Sequence, residues 1–88
     1  MTDQTPGRSI VFGRGPGADV VVDDDYCSPR HCRIYENGAA YFVEDLGSTN
    51  GTWVISPEQG RRKVNYRSIL LPGDQVRIGR TTLPWKCS

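Results

Sequence analysis

Turn-forming residues divide this 88-residue chain into pieces too short for ordinary helices. Gly13-Arg14-Gly15-Pro16-Gly17, Ser28-Pro29, Asn37-Gly38, the run Gly47 to Gly51, Pro57 to Gly60, Pro72-Gly73 and Gly79 follow one another along the sequence, and glycine and proline are the strongest local punctuation a chain carries. Nowhere between them do apolar residues recur at helical spacing over a dozen positions. What remains reads as strands: Ile10-Val11-Phe12, Val20-Val21-Val22, Cys32 to Tyr35, Ala40 to Glu44, Thr52 to Ile55, Ile69-Leu70-Leu71, Gln75 to Ile78 and Thr81 to Trp85. Cys32 and Ile34 alternate with Arg33 and Tyr35 at strand period, and Asn37-Gly38 turns the chain into Ala40 to Glu44, which predicts a hairpin. Val76 and Ile78 are expected to point inward. Pro57 to Lys63 reads as an exposed, basic excursion. The pattern predicts an all-β fold, a sandwich or small barrel of mainly antiparallel strands.

Size limits the chemistry. A single domain of this length hides only about 60 to 65% of its unfolded surface, which leaves little room for a deep catalytic cleft. Eleven Lys and Arg against ten Asp and Glu give a net charge of +1, so anion recognition has to be local. No run approaches the roughly 20 apolar residues that span a bilayer, and Met1 to Arg8 lack the apolar core of a secretory leader. Three cysteines, Cys27, Cys32 and Cys87, cannot all pair within the chain; with no leader, this fits a reducing, cytoplasmic setting. Residues 1–9 are expected to form a flexible lead or a minimal edge strand, and residues 10–86 the domain.

Most of the motifs fail on spacing. Gly13 to Gly17 is not G-x-G-x-x-G, and a strand rather than a helix follows it, which excludes a dinucleotide loop. Asp23-Asp24-Asp25 lacks the spacing of a calcium loop and reads as a solvated turn. Ser28 and His31 with Asp45 or Asp74 supply the residue types of a hydrolytic triad, but the nucleophile-elbow pattern is absent. Cys27, His31, Cys32 and Cys87 contain no C-x-x-C pair, so the cysteines read as small fillers rather than zinc ligands. Arg61, Arg62 and Lys63 with Tyr66 and Arg67 form a basic, aromatic segment of the kind that touches nucleic acid. A small β-barrel binding nucleic acid through Arg61 to Arg67 is therefore the rival reading, and a solvated face the plainer one.

What converges is a set of anion-binding groups on separate loops. Asp45-Leu46-Gly47-Ser48-Thr49-Asn50-Gly51-Thr52 leaves a half-apolar strand through two glycines and several small polar side chains. Asn50-Gly51 is a strong turn signal, and Asp45, Ser48, Thr49 and Thr52 can bond neighbouring amides and stiffen the loop. A phosphomonoester carries about −1.5 to −2 charges and three acceptor oxygens, so its reader needs a fixed cation and short donors. Arg14 offers the forked cation, Ser28 and Thr49 hydroxyls, and Asn50 an amide that both gives and accepts bonds. In a sandwich, alternate loops gather at one end, where such groups can meet.

These residues resemble the forkhead-associated (FHA) domain family, whose members bind phosphothreonine peptides. The resemblance runs from about Ile10 to Trp85. Its pieces come in family order: Phe12-Gly13-Arg14, Ala18 to Val22, Ser28-Pro29-Arg30-His31, Asp45 to Thr52, Leu71-Pro72-Gly73-Asp74 and Val76-Arg77-Ile78-Gly79. By that resemblance the fold is a sandwich of two twisted sheets. Arg14 and Ser28 match the phosphate-binding pair, Thr49 a second hydroxyl beside the phosphate, and Asn50 the residue that holds the ligand backbone. Ser48 and Arg30 are candidate peptide contacts, and Gly13, His31 and Gly51 match residues that support the loops. The resemblance implies no catalytic residue, cofactor or metal. It implies a signalling partner, a phosphothreonine segment of a Ser/Thr kinase or its substrates, with phosphothreonine preferred to phosphoserine.

Two departures stand out. Pro29 occupies a position where the family commonly has a polar or basic residue, and proline offers no N–H or polar side chain; Arg30 is expected to take over part of that contact. The strand that usually precedes the one feeding Gly13-Arg14 is reduced to a short polar lead. Either Thr5 to Ser9 forms a minimal edge strand, or an edge is left open that invites a second chain and a dimer. Gly79-Arg80 echoes Gly13-Arg14, but family topology puts it in the final hairpin turn, away from the Ser28 loop. Because Asp23 to Asp25 lie just before Ser28, acidic residues flanking the phosphothreonine are expected to be disfavoured.

Overall fold

Alternation of Cys32 and Ile34 with Arg33 and Tyr35, followed by the Asn37-Gly38 turn, produces the predicted hairpin: β3 (Cys32–Asn37) and β4 (Ala40–Asp45) pair antiparallel around Gly38, whose φ is 66°. The structure, a computed structural model, describes residues 9–85. β1 (Ser9–Gly13) pairs antiparallel with β3, and β7 (Arg67–Leu70) with β4; β2 (Val20–Val21) adds to β1 in parallel, giving the order β2-β1-β3-β4-β7. The second sheet runs β6 (Gly60–Lys63), β5 (Thr52–Ser56), β8 (Gln75–Ile78), β9 (Thr81–Thr82), all antiparallel. Among the described residues no helix is long and apolar enough to cross a membrane.

Period-two patterning decides which faces meet. Phe12, Cys32, Ile34, Val43 and Leu70 of the first sheet pack with Val54, Val76 and Ile78 of the second in one buried cluster, joined by Val22, Cys27, Val64 and Leu83. Each fully buried Val, Ile or Leu contributes roughly 1.5–3 kcal/mol. Val76 and Ile78 point inward as expected. Tyr35 is buried too, but on the outer face. There Arg33 lies 4.6 Å from its ring centroid, Phe42 stacks on it at 5.6 Å, and Arg67 donates to its hydroxyl at 2.9 Å. Burial pushes the thiols of Cys27 and Cys32 up to about 11 and about 12, which makes them inert fillers at neutral pH; Cys87 lies outside the described residues.

Three segments differ from the sequence reading. The excursion after Pro57 is a hairpin: Gly60 turns with φ 77°, and Gly60–Lys63 pairs along β5. Arg61-Arg62-Lys63 carries no apolar alternation, so only the need of β5 for a partner reveals this strand. The closing strand stops at Thr82, after which Leu83 folds into the core. The edge of β1 is not left open. The amide of Asp19 donates to the carbonyl of Val11 at 2.8 Å, the amide of Val11 donates to Asp19 Oδ2 at 2.8 Å, and the amide of Val22 donates to the carbonyl of Gly13 at 2.7 Å. Ser9 belongs to β1 opposite Tyr35, while Thr5 to Arg8 lie outside the described residues.

Candidate functional site

The end of β1 is docked on the Ser28 loop by backbone bonds alone. The amide of Arg14 donates to Ser28 O at 2.9 Å, that of Gly15 to Pro29 O at 3.1 Å, and that of His31 to Phe12 O at 2.9 Å. Gly13 makes this approach possible, because a Cβ there would stand 2.2 Å from Pro29 O. Arg14 is thereby fixed beside Ser28 through its backbone, and its exposed side chain places its guanidinium 2.9 Å from the Asp25 carboxylate.

His31 is fully buried and joins this loop to the second one. Its Nδ1 accepts from the Ser28 amide at 3.0 Å, so the proton resides on Nε2, which donates to Gly51 O at 2.7 Å. With both ring nitrogens committed to backbone, the imidazole has no lone pair for the Ser28 hydroxyl, and the hydrolytic combination lacks its base.

Asp45 organises the 45–52 loop. Its Oδ1 accepts from the hydroxyls of Ser48 at 2.5 Å and Thr52 at 2.7 Å, and its Oδ2 from the amides of Gly47 at 3.2 Å and Ser48 at 3.1 Å. Burial alone would raise its carboxyl; the bonds from Ser48 and Thr52 outweigh burial and hold it below the usual carboxylate range. Gly47 and Gly51 take φ of 79° and 93°, and no non-glycine residue among those described has positive φ, so Gly51 alone carries the turn that Asn50-Gly51 signalled. The Ser48 hydroxyl also accepts from the Gly51 amide at 3.0 Å, so a side chain read as a candidate peptide contact is spent inside the loop.

The two loops meet at one end of the sandwich. The amide of Thr49 donates to Ser28 Oγ at 3.0 Å, and Asn50 Nδ2 donates to Tyr26 O at 2.8 Å. Arg14, Ser28, Thr49 and Asn50 thus come together, with the Thr49 hydroxyl and Asn50 Oδ1 unbonded among the described residues. Arg30 is exposed beside Pro29 and similarly unbonded.

The Gly79-Arg80 turn, expected to lie away from this loop, is packed against it. Asp24 Oδ2 accepts from the Arg80 amide and the Thr81 hydroxyl, each at 2.7 Å, while Asp24 Oδ1 accepts from the Tyr26 amide at 2.8 Å. The Tyr26 amide is the main cause that lowers the Asp24 pKa, followed by Thr81 and Arg80. Arg80 lies 4.4 Å from the Tyr26 ring centroid and donates to its hydroxyl at 2.8 Å. A surface pocket of about 250 Å³ opens between Tyr26, Asn50, Gly79 and Arg80, and another of about 380 Å³ lies between Arg14, Val21, Cys27 and Pro29. Sequence reading missed Asp24, Tyr26 and Arg80. The findable signal was Asp24 two residues before Tyr26, the spacing of an Asx turn. Within the acidic run, Asp24 is engaged in this clasp and Asp25 on Arg14.

The basic segment Arg61 to Arg67 does not form one surface. Arg62 donates to Ser68 Oγ at 2.9 Å and to Ile69 O at 3.1 Å, Arg67 lies on the other sheet 5.5 Å from the Phe42 ring centroid, and Tyr66 stands exposed in the connection.

Residues 10–79 match the sequence profile of the FHA domain. The FHA domain-containing protein FhaB of Mycolicibacterium smegmatis is 40% identical over 76 residues, which cover 86% of this chain and 46% of that protein. The chain spans about half the length of the curated relatives it matches. Among solved structures, the FHA domain of CT664 from Chlamydia trachomatis superposes with a TM-score of 0.76 at 32% identity, covering 89% of this chain and 75% of that one. An FHA domain studied for its phosphothreonine-dependent interactions superposes with a TM-score of 0.70 at 32% identity, covering 93% and 79%. The chain belongs to the forkhead-associated (FHA) domain family.

Proposed function

We propose that this chain is a non-catalytic, cytoplasmic module that binds phosphothreonine-containing segments and docks the protein carrying it onto a Ser/Thr kinase or its substrates. The observation that carries this reading is the meeting of Arg14, Ser28, Thr49 and Asn50 at one end of the sandwich, bridged by bonds between their loops. It is supported by the family's interaction role and by relatives studied for phosphothreonine-dependent binding.

The chemistry follows from charge and reach. Arg14 presents two guanidinium N–H groups to phosphate oxygens, a fork that lysine cannot reproduce. The hydroxyls of Ser28 and Thr49 donate to the remaining oxygens, and Asn50 pairs through its free carbonyl with the peptide backbone. Ser48, Gly13, His31 and Gly51 hold the loops, and Arg30 supplies the peptide contact that Pro29 does not. Hydrogen bonds to a charged group contribute about 1.5–3 kcal/mol each, so loss of Arg14 is expected to weaken binding by about tens to hundreds of fold.

Fluorescence anisotropy with a degenerate phosphothreonine peptide pool, beside phosphoserine and unphosphorylated pools and an Arg14→Ala variant, tests the reading. Binding that requires both phosphate and Arg14, and that favours phosphothreonine, supports it. A folded protein that binds the three pools alike would overturn it.

A further inference from the structure

We propose that the outward face of the four-stranded sheet is a second docking surface, one that takes an acidic protein segment continuous with the phosphorylated one; this rests on the phosphopeptide reading above. Val54, Val76 and Ile78 point into the core, so the alternate residues of β5 and β8 face solvent. Register then sets Trp53 between Lys63 on one side and Arg77 on the other, with Ile55 between Arg61 and Gln75 in the next row. Arg61 lies over the Trp53 ring at 5.0 Å from its centroid. No carboxylate belongs to these two rows, and none of the three cations forms an ion pair with a described carboxylate. In a chain whose net charge is only +1, this is a concentrated positive face.

The face is continuous with the phosphate site. Lys63 packs against Gly51, where a Cβ would stand 3.0 Å from Lys63 Cε and 3.7 Å from Nζ, and Gly51 adjoins Asn50. From Lys63 to Arg77 is two strand spacings, about 10 Å, a distance that about three extended residues cover. A short acidic stretch leaving Asn50 therefore reaches all three cations and lays its backbone on Trp53 and Ile55. An acidic peptide fits better than nucleic acid, because single-stranded binders stack successive bases on open aromatic faces. Here the one aromatic ring of these rows is covered by Arg61.

The test uses a phosphothreonine peptide made in three forms: unextended, and carrying four glutamates on its N-terminal or its C-terminal side. Isothermal titration of each against the whole chain, at low and high salt, is expected to show roughly three- to tenfold tighter binding for one extended form at low salt, lost at high salt. Arg61→Glu/Arg77→Glu, with the milder Arg61→Gln/Arg77→Gln should the reversal impair folding, is expected to abolish that gain and leave the unextended peptide unaffected. Equal binding of all three forms, or a gain that survives both variants, would overturn the second surface while leaving the phosphate site intact. If the unextended peptide fails to bind, the phosphopeptide reading falls and the continuous segment with it. A single-stranded oligothymidine that binds more tightly than the glutamate-extended peptides and quenches Trp53 would overturn the acidic-peptide assignment in favour of nucleic acid.

Discussion

Arg14 and Asp25 are paired in the free protein, guanidinium to carboxylate at 2.9 Å, with both side chains largely in solvent. Under the proposed function, a ligand phosphate takes Asp25's place on the guanidinium. Exposed pairs of this kind contribute about 0.2–1 kcal/mol, so Asp25→Asn is expected to bind a phosphothreonine peptide about two- to fivefold more tightly than the parent chain. Isothermal titration at low salt checks this; unchanged or weaker binding would show that the carboxylate does not compete.

His31 holds the Ser28 amide and the Gly51 carbonyl from inside the core. His31→Ala removes both bonds and leaves a cavity, for an expected loss of about 2–4 kcal/mol. In a domain of this size each kcal/mol moves the midpoint by about 4–8 °C. Differential scanning calorimetry is therefore expected to show a drop of at least about 8 °C, with phosphopeptide affinity falling even where the variant stays folded.

Gly13 and Gly17 make a matched pair. A Cβ on Gly13 meets Pro29 O at 2.2 Å, whereas nothing lies within 4 Å of one on Gly17. Gly13→Ala has to push the strand end off the Ser28 loop, at a cost of roughly 1–3 kcal/mol or more, and is expected to weaken ligand binding as well. Gly17→Ala is expected to leave both stability and affinity unchanged. Urea denaturation of the two variants side by side decides it.

The carboxyls of Asp24 and Asp45 are both held below their ordinary value, Asp24 chiefly by the Tyr26 amide, Asp45 by Ser48 and Thr52 against the opposing effect of burial. A carboxylate whose folded pKa is depressed binds fewer protons folded than unfolded. Its contribution is therefore fully present above the unfolded value of about 3.9 and is lost as pH falls through the folded value. Stability is expected to hold flat from neutrality to about pH 5 and then decline, less steeply in Asp45→Asn. Thermal melts across the range from about pH 2.5 to neutrality would show this; a parallel decline in the variant would remove Asp45 from the explanation.

β3 and β8 were legible because burial of one face writes period two into the sequence, and β1, β4 and β5 because they are short apolar runs bounded by turn residues. β6 was not, since Arg61-Arg62-Lys63 lies on an edge and is specified by its neighbour. The residues of the candidate site were found through their order along the chain and their resemblance to a family. How they connect was hidden. Ser48 looked available until its hydroxyl was found between Asp45 and Gly51, and Gly79-Arg80 looked remote because Asp24's reach across more than fifty residues leaves no local pattern.

The 45–52 loop is the first of three stretches by which the chain passes between the sheets, while Arg14 and Ser28 belong to the first sheet's side. A ligand held by both is a clip across the seam of the sandwich, and pulling the layers apart would mean first letting it go. Recognition would then be audible as rigidity. Each phosphopeptide that binds should raise the melting temperature in step with RT ln(1 + [L]/Kd), so partners can be ranked by heat alone, without a label on either molecule.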